Sequence, residues 1–389
     1  MRRYLQRFSE AFRKGDLMLL LLCVVTTAFG CLIIASATNA TEAGPLRYLV
    51  IQIIASLAGV FAYVVFSSID TEFFSEHRSA LIIFNTLLLF LLIPFGTDNG
   101  TGNRSWLNFP FLPFDIQPAE ICKITFPLIL ASVMASHQNR VSHFTSVLHM
   151  GLHLILLFGL NVVISGDLGV SLIFVFIFIG MAFAGGVSLM WFLSAGGAVA
   201  LLAPVVWSFL GSYQQNRIAV LFNPDLDPNG TGARYQTVRA LRSLTGGGLT
   251  GQGLFQGNRT QTRSALFAQH TDFIFAAIGE ELGFVGCALV LVLLVLIIAR
   301  CIWVGNRSTD YMRKMVCFGA AAALIFQVII NIGMCIGVMP VIGLTLPFIS
   351  YGGSSIITLY AMLGLVSGVY ARPNATSHER YIRAPLKHY

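Results

Sequence analysis

DLMLLLLCVVTTAFGCLIIASA, residues 16–37, is an apolar run whose length decides the class of fold. A helix that crosses a hydrocarbon core of about 30 Å needs about 20 apolar residues. Similar runs follow along the chain, and 56% of its 389 residues are hydrophobic while 11% are charged. A soluble globular domain carries about 25% charged residues. The sequence therefore predicts an all-α polytopic membrane protein, because the strands of a membrane barrel would be short and alternating.

The apolar runs and the breaks between them predict about ten transmembrane helices in a single membrane domain, residues 16–372. No unit of about 20 to 50 residues repeats along the chain. Since no small-residue cleavage pattern follows the first run, we expect it to be retained as an anchor. The predicted spans are 17–38, 48–68, 79–96, 118–136, 144–164, 168–185, 188–210, 273–300, 314–338 and 347–371.

The basic residues predict the orientation of these spans, because cytoplasmic loops are enriched in lysine and arginine. With both termini in the cytoplasm, the cytoplasmic segments contain fifteen of the 24 basic residues. The segment 211–272 is then a long extracytoplasmic loop, and its arginines do not oppose this topology because long loops translocate largely regardless of charge. The fifteen residues are Arg2, Arg3, Arg7, Arg13, Lys14, Arg78, Arg140, Arg300, Arg307, Arg313, Lys314, Arg372, Arg380, Arg383 and Lys387.

The net charge of +7 and the two chain ends are consistent with this topology. Residues 1–15 place four apolar or aromatic side chains at helical spacing among arginines, which fits an amphipathic helix on the anionic inner leaflet or a simple basic tail. Residues 373–389 form a cytoplasmic tail. Basic flanks of membrane spans explain the charge, so we expect no nucleic-acid partner. The seven cysteines indicate neither a disulfide framework nor a zinc site.

Several polar residues lie at the predicted outer ends of spans. Glu120 and Lys123 are an i,i+3 pair one turn into the span that begins at Pro118. Charges inside a span are costly, so this pair is either part of a site or a self-satisfied ion pair. Just before it, Arg104 and Trp106 occupy an aromatic-rich segment, where the tryptophan could also be an interfacial anchor.

Asp167 and the long loop add to the predicted outer rim. Asp167 lies in ISGDLGVS, a break between two apolar runs, where it is a helix cap or a site residue. The loop intersperses arginines, glycines and aromatic residues, a composition that suits an anionic lipid headgroup with a sugar. Arg217 is among the arginines that could bind a phosphate there.

The stretch QHTDFIFAAIGEEL places Asp272 at the first turn of the eighth span. A carboxylate there is a helix cap or a catalytic group. His270, two residues earlier, could orient Asp272 or contact a phosphate, or it could make a simple contact at the helix entry.

Glu280 and Glu281 lie eight and nine residues after Asp272, about 12 Å deeper along a helix. They cannot both be surface charges, so we expect them to support the site deeper in its cavity or at a helix interface. Gly279 and Gly283 have GxxxG spacing, which predicts the close approach of another helix.

The last polar spot is PVIGLTLPFISYGGSSIITLY, residues 340–360. Here Pro347, Ser350, Gly352 and Gly353 soften the entry to the tenth span. Irregular backbone at membrane depth is tolerated where it is buried in protein or lines a wet cavity. Four outward-facing polar spots therefore converge on one rim.

Five segments of the chain resemble, in the same order, signature segments of the SEDS family (shape, elongation, division and sporulation), whose branches include RodA and FtsW. The resemblance runs from about Asp16 to Arg372 and is somewhat closer to the RodA branch. It departs from the family at Ser165-Gly166, where a proline often precedes the family's aspartate. The five segments are QPAEICK, NPDLDPNGTGARYQ, GLTGQGLFQG, QHTDFIFAAIGEELG and GLTLPFISYGGSS.

The resemblance implies a glycosyltransferase that polymerises lipid II into β-1,4 glycan strands with inversion, at the outer face of the bacterial inner membrane, for elongation, division or sporulation. It makes Asp272 the catalytic residue. The expected substrate-binding residues are Arg104, Trp106, Glu120, Lys123, Asp167, Arg217 and His270, of which Arg217 and His270 rest on the residue pattern alone. The expected supporting residues are Glu280, Glu281, Ser350, Gly352 and Gly353.

Further expectations concern partners and cofactors. The family pairs with a class B penicillin-binding protein, a transpeptidase, and the resemblance implies docking on the eighth and ninth spans and the long loop. The expected ligands are lipid II and the growing strand, and the surroundings are the lipid bilayer. No metal cage is visible, although Mg²⁺ or Mn²⁺ could bind through substrate phosphate. The alternative function is a flippase or transporter for the lipid-linked precursor.

Overall fold

The computed structural model describes residues 14–372 apart from 43, 99–102, 111, 264, 265 and 267. The predicted tail at 373–389 and all but two residues of the predicted N-terminal segment 1–15 lie outside the described residues.

Within this part of the chain, nine helical segments are long and apolar enough to cross a membrane, and a tenth apolar helix, Leu168–Ala184, has 17 residues. The all-α polytopic fold is therefore confirmed. The helices are α1 Leu17–Ala37, α2 Gly44–Ser68, α3 Thr71–Glu76, α4 Arg78–Phe90, α5 Leu92–Phe95, α6 Pro118–Ser136, α7 Phe144–Ser165, α8 Leu168–Ala184, α9 Leu189–Phe209, α10 Ser212–Phe222, α11 Tyr235–Gly247, α12 Ile274–Arg307, α13 Tyr311–Ile336 and α14 Gly353–Ala371.

Short elements complete the described structure. Strands β1, Gly96–Thr97, and β2, Trp106–Leu107, form an antiparallel pair before α6. Two 3₁₀ turns, Gln138–Arg140 and Pro224–Leu226, follow α6 and α10. The long loop predicted at 211–272 is therefore not irregular throughout, because it contains α10 and α11.

The core of the bundle consists of α6, α13 and α14, whose span windows are 72–83% buried. Helix α14 packs closely against α2, where a Cβ added to Gly364 would lie 2.5 Å from the carbonyl oxygen of Tyr63. In contrast, none of the α9 window is buried, although the helix is apolar. An apolar helix with so little protein cover is stable in lipid, which is as apolar as its side chains.

Two predicted boundaries are wrong in an informative way. The tenth span was expected from 347, but α14 begins at Gly353, and residues 340–352 are not helical. Pro347 lacks a backbone N–H, and Phe348 has a φ of 64° in the left-handed region, so a helix cannot run through this segment. The eighth span extends beyond its predicted end, from Ile274 to Arg307, but it is broken at Gly283, where φ is 63° and ψ is −161°.

The break in α12 is filled by the loop segment 248–253. The amides of Phe284 and Val285 donate to the carbonyls of Gly248 and Leu249, at 2.9 and 3.2 Å. In return, the Glu280 and Glu281 carbonyls accept from Gln252 and Gly253, both at 3.0 Å. The loop thus replaces the two helical bonds that the break removes. We call these four bonds the loop splice.

The side chains of Glu280 and Glu281 hold the residues that follow the splice, and both are 1% exposed. Glu280 accepts from the amides of Arg259 and Thr260 and from the Thr260 hydroxyl, at 2.7–3.0 Å. Glu281 accepts from Ser36 of α1 and from the Gln261 side chain, at 2.6–2.9 Å. They anchor the loop to α1 and α12, so of the two expected places, the site cavity and a helix interface, they occupy the interface and do not line the cavity.

The GxxxG spacing predicted the close approach of another helix, and at Gly279 that helix is α11 of the long loop. A Cβ on Gly279 would lie 2.4 Å from a methyl group of Leu244 in α11. A Cβ on Gly283 would lie 2.4 Å from the Gly251 amide and 2.5 Å from the Leu249 carbonyl. The close neighbours are the loop helix α11 and the splice segment, because the loop descends alongside α12.

We predict that Gly283→Ala destabilises the protein by about 2 kcal/mol or more, because alanine is strained at this φ and its methyl group clashes with the splice. Thermal unfolding in detergent and proteolysis of the loop measure the effect, and the variant should be cut faster between 248 and 262. The matched control is Gly159→Ala in α7, where an added Cβ meets nothing within 4 Å. Equal stability of the two variants would contradict the splice as a stabilising contact.

Candidate active site

A cavity of about 810 Å³ lies where the amino-terminal ends of α2, α6, α8 and α14 meet the chain just before α12. The four polar spots expected on one rim are brought together here. The residues that line the cavity include Arg47, Tyr48, Trp106, Asp115, Gln117, Glu120, Asp167, Asp272, Gly343, Leu344, Tyr351, Gly352 and Gly353.

Asp272 lines this cavity two residues before the first residue of α12. The N-cap of α12 is Phe273, and no side chain caps the helix there. The interpretation of Asp272 as a cap is therefore wrong, and its carboxylate is available to the cavity. The opposite wall at Gly343 has a φ of 73°, and a Cβ added to it would lie 3.6 Å from Asp272 Oδ2.

The environment of Asp272 makes its carboxylate a stronger base than an ordinary aspartate. Burial raises the pKa of Asp272 to about 6, the negative charge of Asp167 adds to the rise, and Arg217 opposes it. Burial also raises the pKa of Asp167, and the charge of Glu120 adds to that rise. Acids in a cavity that have shifted pKa values are candidates for proton transfer.

Asp167 combines the two roles that the sequence left open. Its Oδ1 accepts from the Val170 amide at 3.1 Å and caps α8. Its Oδ2 accepts from the side chain of Gln117 at 3.0 Å, and both residues line the cavity. The cap fixes the carboxylate near Asp272, where its charge acts on the pKa of that residue.

Glu120 and Lys123 form a buried ion pair below the cavity, with Lys123 Nζ 2.6 Å from Glu120 Oε2. The same oxygen accepts from the Thr358 hydroxyl of α14 at 3.1 Å. Glu120 lines the cavity, whereas Lys123 is not a lining residue and is 3% exposed. The pair thus matches the self-satisfied alternative and also places a carboxylate on the cavity floor.

The other expected substrate-binding residues are placed differently. Trp106 lines the cavity, but Arg104 is exposed and is not a lining residue. Arg217 donates to the Val341 carbonyl and borders two smaller cavities beside the main one. It acts on Asp272 through its charge.

His270 is packed between two tyrosines of the cavity wall. Its ring centroid lies 4.9 Å from that of Tyr48 and 5.7 Å from that of Tyr351. Burial lowers the pKa of His270, which favours the neutral ring at neutral pH. The histidine is not a lining residue and reaches the cavity only through these two side chains.

The supporting residues expected in 350–353 lie at the base of α14. Gly352 and Gly353 line the cavity, and a Cβ on Gly353 would lie 2.3 Å from the Phe114 ring. The Ser350 hydroxyl donates to the Thr271 carbonyl at 2.6 Å, next to Asp272.

The charges of the lining residues reveal an arginine that sequence reasoning missed. Among the described lining residues, the carboxylates are Asp115, Glu120, Asp167 and Asp272, and the single basic residue is Arg47. Arg47 is exposed in the first turn of α2. The sequence contained one signal for Arg47. It lies at the predicted outer end of the second span, whereas the positive-inside rule accounts only for basic residues on the cytoplasmic side.

Among the residues that the structure describes, no group of three or more histidine, cysteine, aspartate or glutamate side chains could bind a metal ion. Mg²⁺ often takes only one or two carboxylates together with substrate phosphates and water, and such an ion is compatible with this finding.

The spans of this helical membrane protein converge on a cavity that is lined by an aspartate of raised pKa, which defines a class: a polytopic membrane protein with a candidate enzyme site. The sequence profile of the FtsW/RodA/SpoVE family, described as cell cycle proteins, matches residues 16–374. The protein belongs to this family, which confirms the resemblance found in the sequence.

Relatives and solved structures are similar over most of the chain. The peptidoglycan glycosyltransferase MrdB of Escherichia coli K12 is 33% identical, over 91% of this chain and 93% of MrdB. The probable peptidoglycan glycosyltransferase FtsW of Geobacter metallireducens is 30% identical, over 94% and 97%. A chain of a peptidoglycan synthase complex superposes with a TM-score of 0.77, at 28% identity over 92% of this chain and 99% of that one. RodA of Thermus thermophilus superposes with a TM-score of 0.68, at 26% identity over 93% and 98%.

Proposed function

We propose that the protein polymerises lipid II into β-1,4-linked peptidoglycan strands, with Asp272 as the general base. The observation that carries this proposal is a carboxylate that faces an 810 Å³ cavity, with a pKa raised to about 6 by burial. The relatives named as peptidoglycan glycosyltransferases support the activity. A general base whose pKa lies near the working pH is the form that catalysis favours.

The reaction needs one proton transfer and one displacement. Asp272 removes the proton from the 4-hydroxyl of a lipid II sugar as that oxygen attacks the anomeric carbon of the growing strand. The bond from that carbon to undecaprenyl diphosphate breaks, and the diphosphate leaves with the electron pair. Attack from the opposite face inverts the anomeric centre and gives the β-1,4 bond. The proton then passes from Asp272 to solvent, which restores the base.

The leaving diphosphate needs positive charge, and the cavity offers it from two sources. Arg47 is the basic residue among the described lining residues, and a guanidinium group binds phosphate in a forked geometry. The amino-terminal ends of α2, α6, α8 and α14 also point their partial positive charges at the cavity. A divalent ion carried by the diphosphate would add to both.

The proposal also covers the location of the cavity and the partner of the protein. We place the cavity on the outer face of the bacterial inner membrane, because the basic residues favour cytoplasmic termini. The likeness to a chain of a peptidoglycan synthase complex supports a class B penicillin-binding protein as partner. The exposed apolar residues Leu249, Phe284 and Val285 beside the loop splice are where we expect it to dock. The RodA-like elongation role is favoured by the RodA and MrdB matches.

We predict that Asp272→Asn lowers the rate of polymerisation from purified lipid II by about 10²-fold or more, because the amide cannot accept the proton. Polymer length on gels measures the rate, and co-purification with the transpeptidase shows that the variant is folded. Near-normal polymerisation would falsify the base assignment. A protein that moved lipid II across liposome membranes and never polymerised it would instead be the alternative flippase.

We predict that the rate of polymerisation falls as the pH is lowered through about 6, because only the ionised Asp272 is a base. We call this fall the acidic limb of the pH profile. Activity should be full above about pH 7 and fall about tenfold per pH unit well below 6. If Asp272 had an ordinary pKa of about 3.9, the enzyme would keep its activity down to about pH 4.

In Asp167→Asn the acidic limb should move to lower pH, since a negative charge that raises the Asp272 pKa is removed while asparagine can still cap α8. A limb that stays in place in this variant would show that Asp272 does not set it.

We predict that Arg47→Ala raises the KM for lipid II by about tenfold, which corresponds to one lost charge-assisted contact of about 1.4 kcal/mol. Initial rates across a lipid II titration measure KM. The matched control is Arg263→Ala, because Arg263 is an exposed arginine that pairs with Glu42 away from the cavity lining. Equal KM values for the two variants would remove Arg47 from the binding site.

A further inference from the structure

Three successive backbone carbonyls at the active site each accept a hydrogen bond from a different donor. The Tyr351 amide donates to the His270 carbonyl at 2.8 Å, and the Ser350 hydroxyl donates to the Thr271 carbonyl at 2.6 Å. The Asn331 side-chain amide donates to the Asp272 carbonyl at 2.8 Å. All three donors belong to α13 or the segment after it, so the turn that carries Asp272 is tied to these two parts of the chain. We call these three bonds the carbonyl clamp.

Asn331 joins two walls of the cavity through one nitrogen. Its Nδ2 also donates to the Leu344 carbonyl at 2.7 Å, and both Asp272 and Leu344 line the cavity. The side chain is fully buried in α13. A neutral side chain needs two N–H groups on one atom to donate to two carbonyls, which only an amide provides without adding a charge. The residue type thus matches the task of joining two backbone segments inside the membrane.

Ser350 makes a second link of the same kind. Its hydroxyl donates to Thr271 and accepts from the Leu346 amide at 2.8 Å. The segment that supplies these contacts is itself held firmly, because Leu346 and Ile349 are at most 1% exposed. A Cβ on Gly30 of α1 would lie 2.8 Å from the Ile349 backbone. The clamp therefore fixes Asp272 to a part of the protein that has little room to move.

The chain on the other side of Asp272 is a long loop. Asp272 ends the connection from α9 to α12, and Ala268, at the start of its turn, has a φ of 50° in the left-handed region. That turn is closed by the amides of Thr271 and Phe273, which donate to Ala268 at 3.1 and 3.2 Å. Backbone in this conformation persists only where its surroundings hold it. The loop alone would not fix the carboxylate.

We propose that Asn331 and Ser350 are positioning residues, which hold the Asp272 carboxylate in reach of the acceptor hydroxyl by clamping the backbone carbonyls of its turn. This role rests on Asp272 as the base. Neither side chain lines the cavity, so both would act through the backbone of the Asp272 turn. The clamp works because a catalytic group displaced by about 1 Å costs about 10²-fold in rate.

The test is polymerisation by the full-length protein with its transpeptidase partner, using purified lipid II. Asn331→Leu removes both amide bonds, and Ser350→Ala removes one clamp bond with no added bulk. Each variant should lower kcat by about 10- to 100-fold and leave the KM for lipid II within about threefold. The matched control is Gln327→Leu, one turn earlier in α13, a buried amide that makes no hydrogen bond to the described residues of 268–272. Its kcat should stay within about twofold of the parent.

The pH profile separates positioning from a loss of folded protein. A loosened turn admits water to Asp272, so the acidic limb should move to lower pH in both clamp variants. The other charged groups of the cavity and its rim are unchanged in these variants: Arg47 from α2, Asp115 from the chain before α6, Glu120 from α6, Asp167 from α8 and Arg217 from α10. A smaller amount of folded protein lowers the rate at every pH and leaves the limb in place.

Asp272→Asn in the same assay distinguishes failure of this proposal from failure of the proposed function. An inactive Asp272→Asn together with normal kcat and an unmoved limb in Ser350→Ala and Asn331→Leu overturns the positioning role alone. A fully active Asp272→Asn overturns the base assignment and the clamp with it. If Asn331→Leu does not fold, Ser350→Ala decides, because removing one hydroxyl group leaves the packing intact.

Discussion

Inside a membrane every backbone N–H and C=O needs a partner from the protein, because lipid offers none and each unpaired group costs several kcal/mol. Regular helices satisfy this requirement by themselves. Two of the places where the protein departs from them are Gly283 in α12 and the segment 340–352, and in both a distant part of the chain supplies hydrogen bonds to the backbone. The loop splice completes α12, and the carbonyl clamp joins the second segment to the turn of Asp272. The second of these segments forms part of the cavity wall, because residues 342–345 and 351–352 line the cavity.

The different roles of Asp167 and Asp272 follow from the same need of backbone groups for hydrogen-bond partners. A carboxylate that caps a helix has part of its hydrogen-bonding capacity committed to backbone amides. Asp167 is in that position at α8, whereas the α12 cap is Phe273 and Asp272 is left uncommitted. Two carboxylates in different environments acquire different roles, which is a recurrent way to assign acid and base chemistry. Here the committed aspartate raises the pKa of the uncommitted one.

The fold class, the positions of most spans and the family could be predicted from the sequence, because hydrophobic length and ordered motifs are local signals. The partners of buried polar groups could not. Glu281 meets Ser36, which lies 245 residues away, and Asn331 meets Asp272, 59 residues away. Nothing in a window around these residues indicates such pairing, so the glutamates could be assigned only to the cavity or to a helix interface, and neither Asn331 nor Arg47 was singled out. The tenth span was predicted too early because an apolar run cannot distinguish a helix from buried irregular backbone.

The charge of the cavity at first opposes the proposed chemistry, since four described carboxylates and one arginine line a site for an anionic diphosphate. The backbone reduces this conflict. One acid, Glu120, is already paired with Lys123, and Asp167 is bound by amide groups. Four helices direct their positive ends at the same space, and each acts as about half a positive charge on groups within its first turn. An anion placed near Arg47 and these helix ends meets a favourable field, while Asp272 beside Asp167 meets one that favours taking up a proton. The proposed chemistry therefore has in one cavity both positive charge for a leaving diphosphate and a carboxylate that can accept a proton.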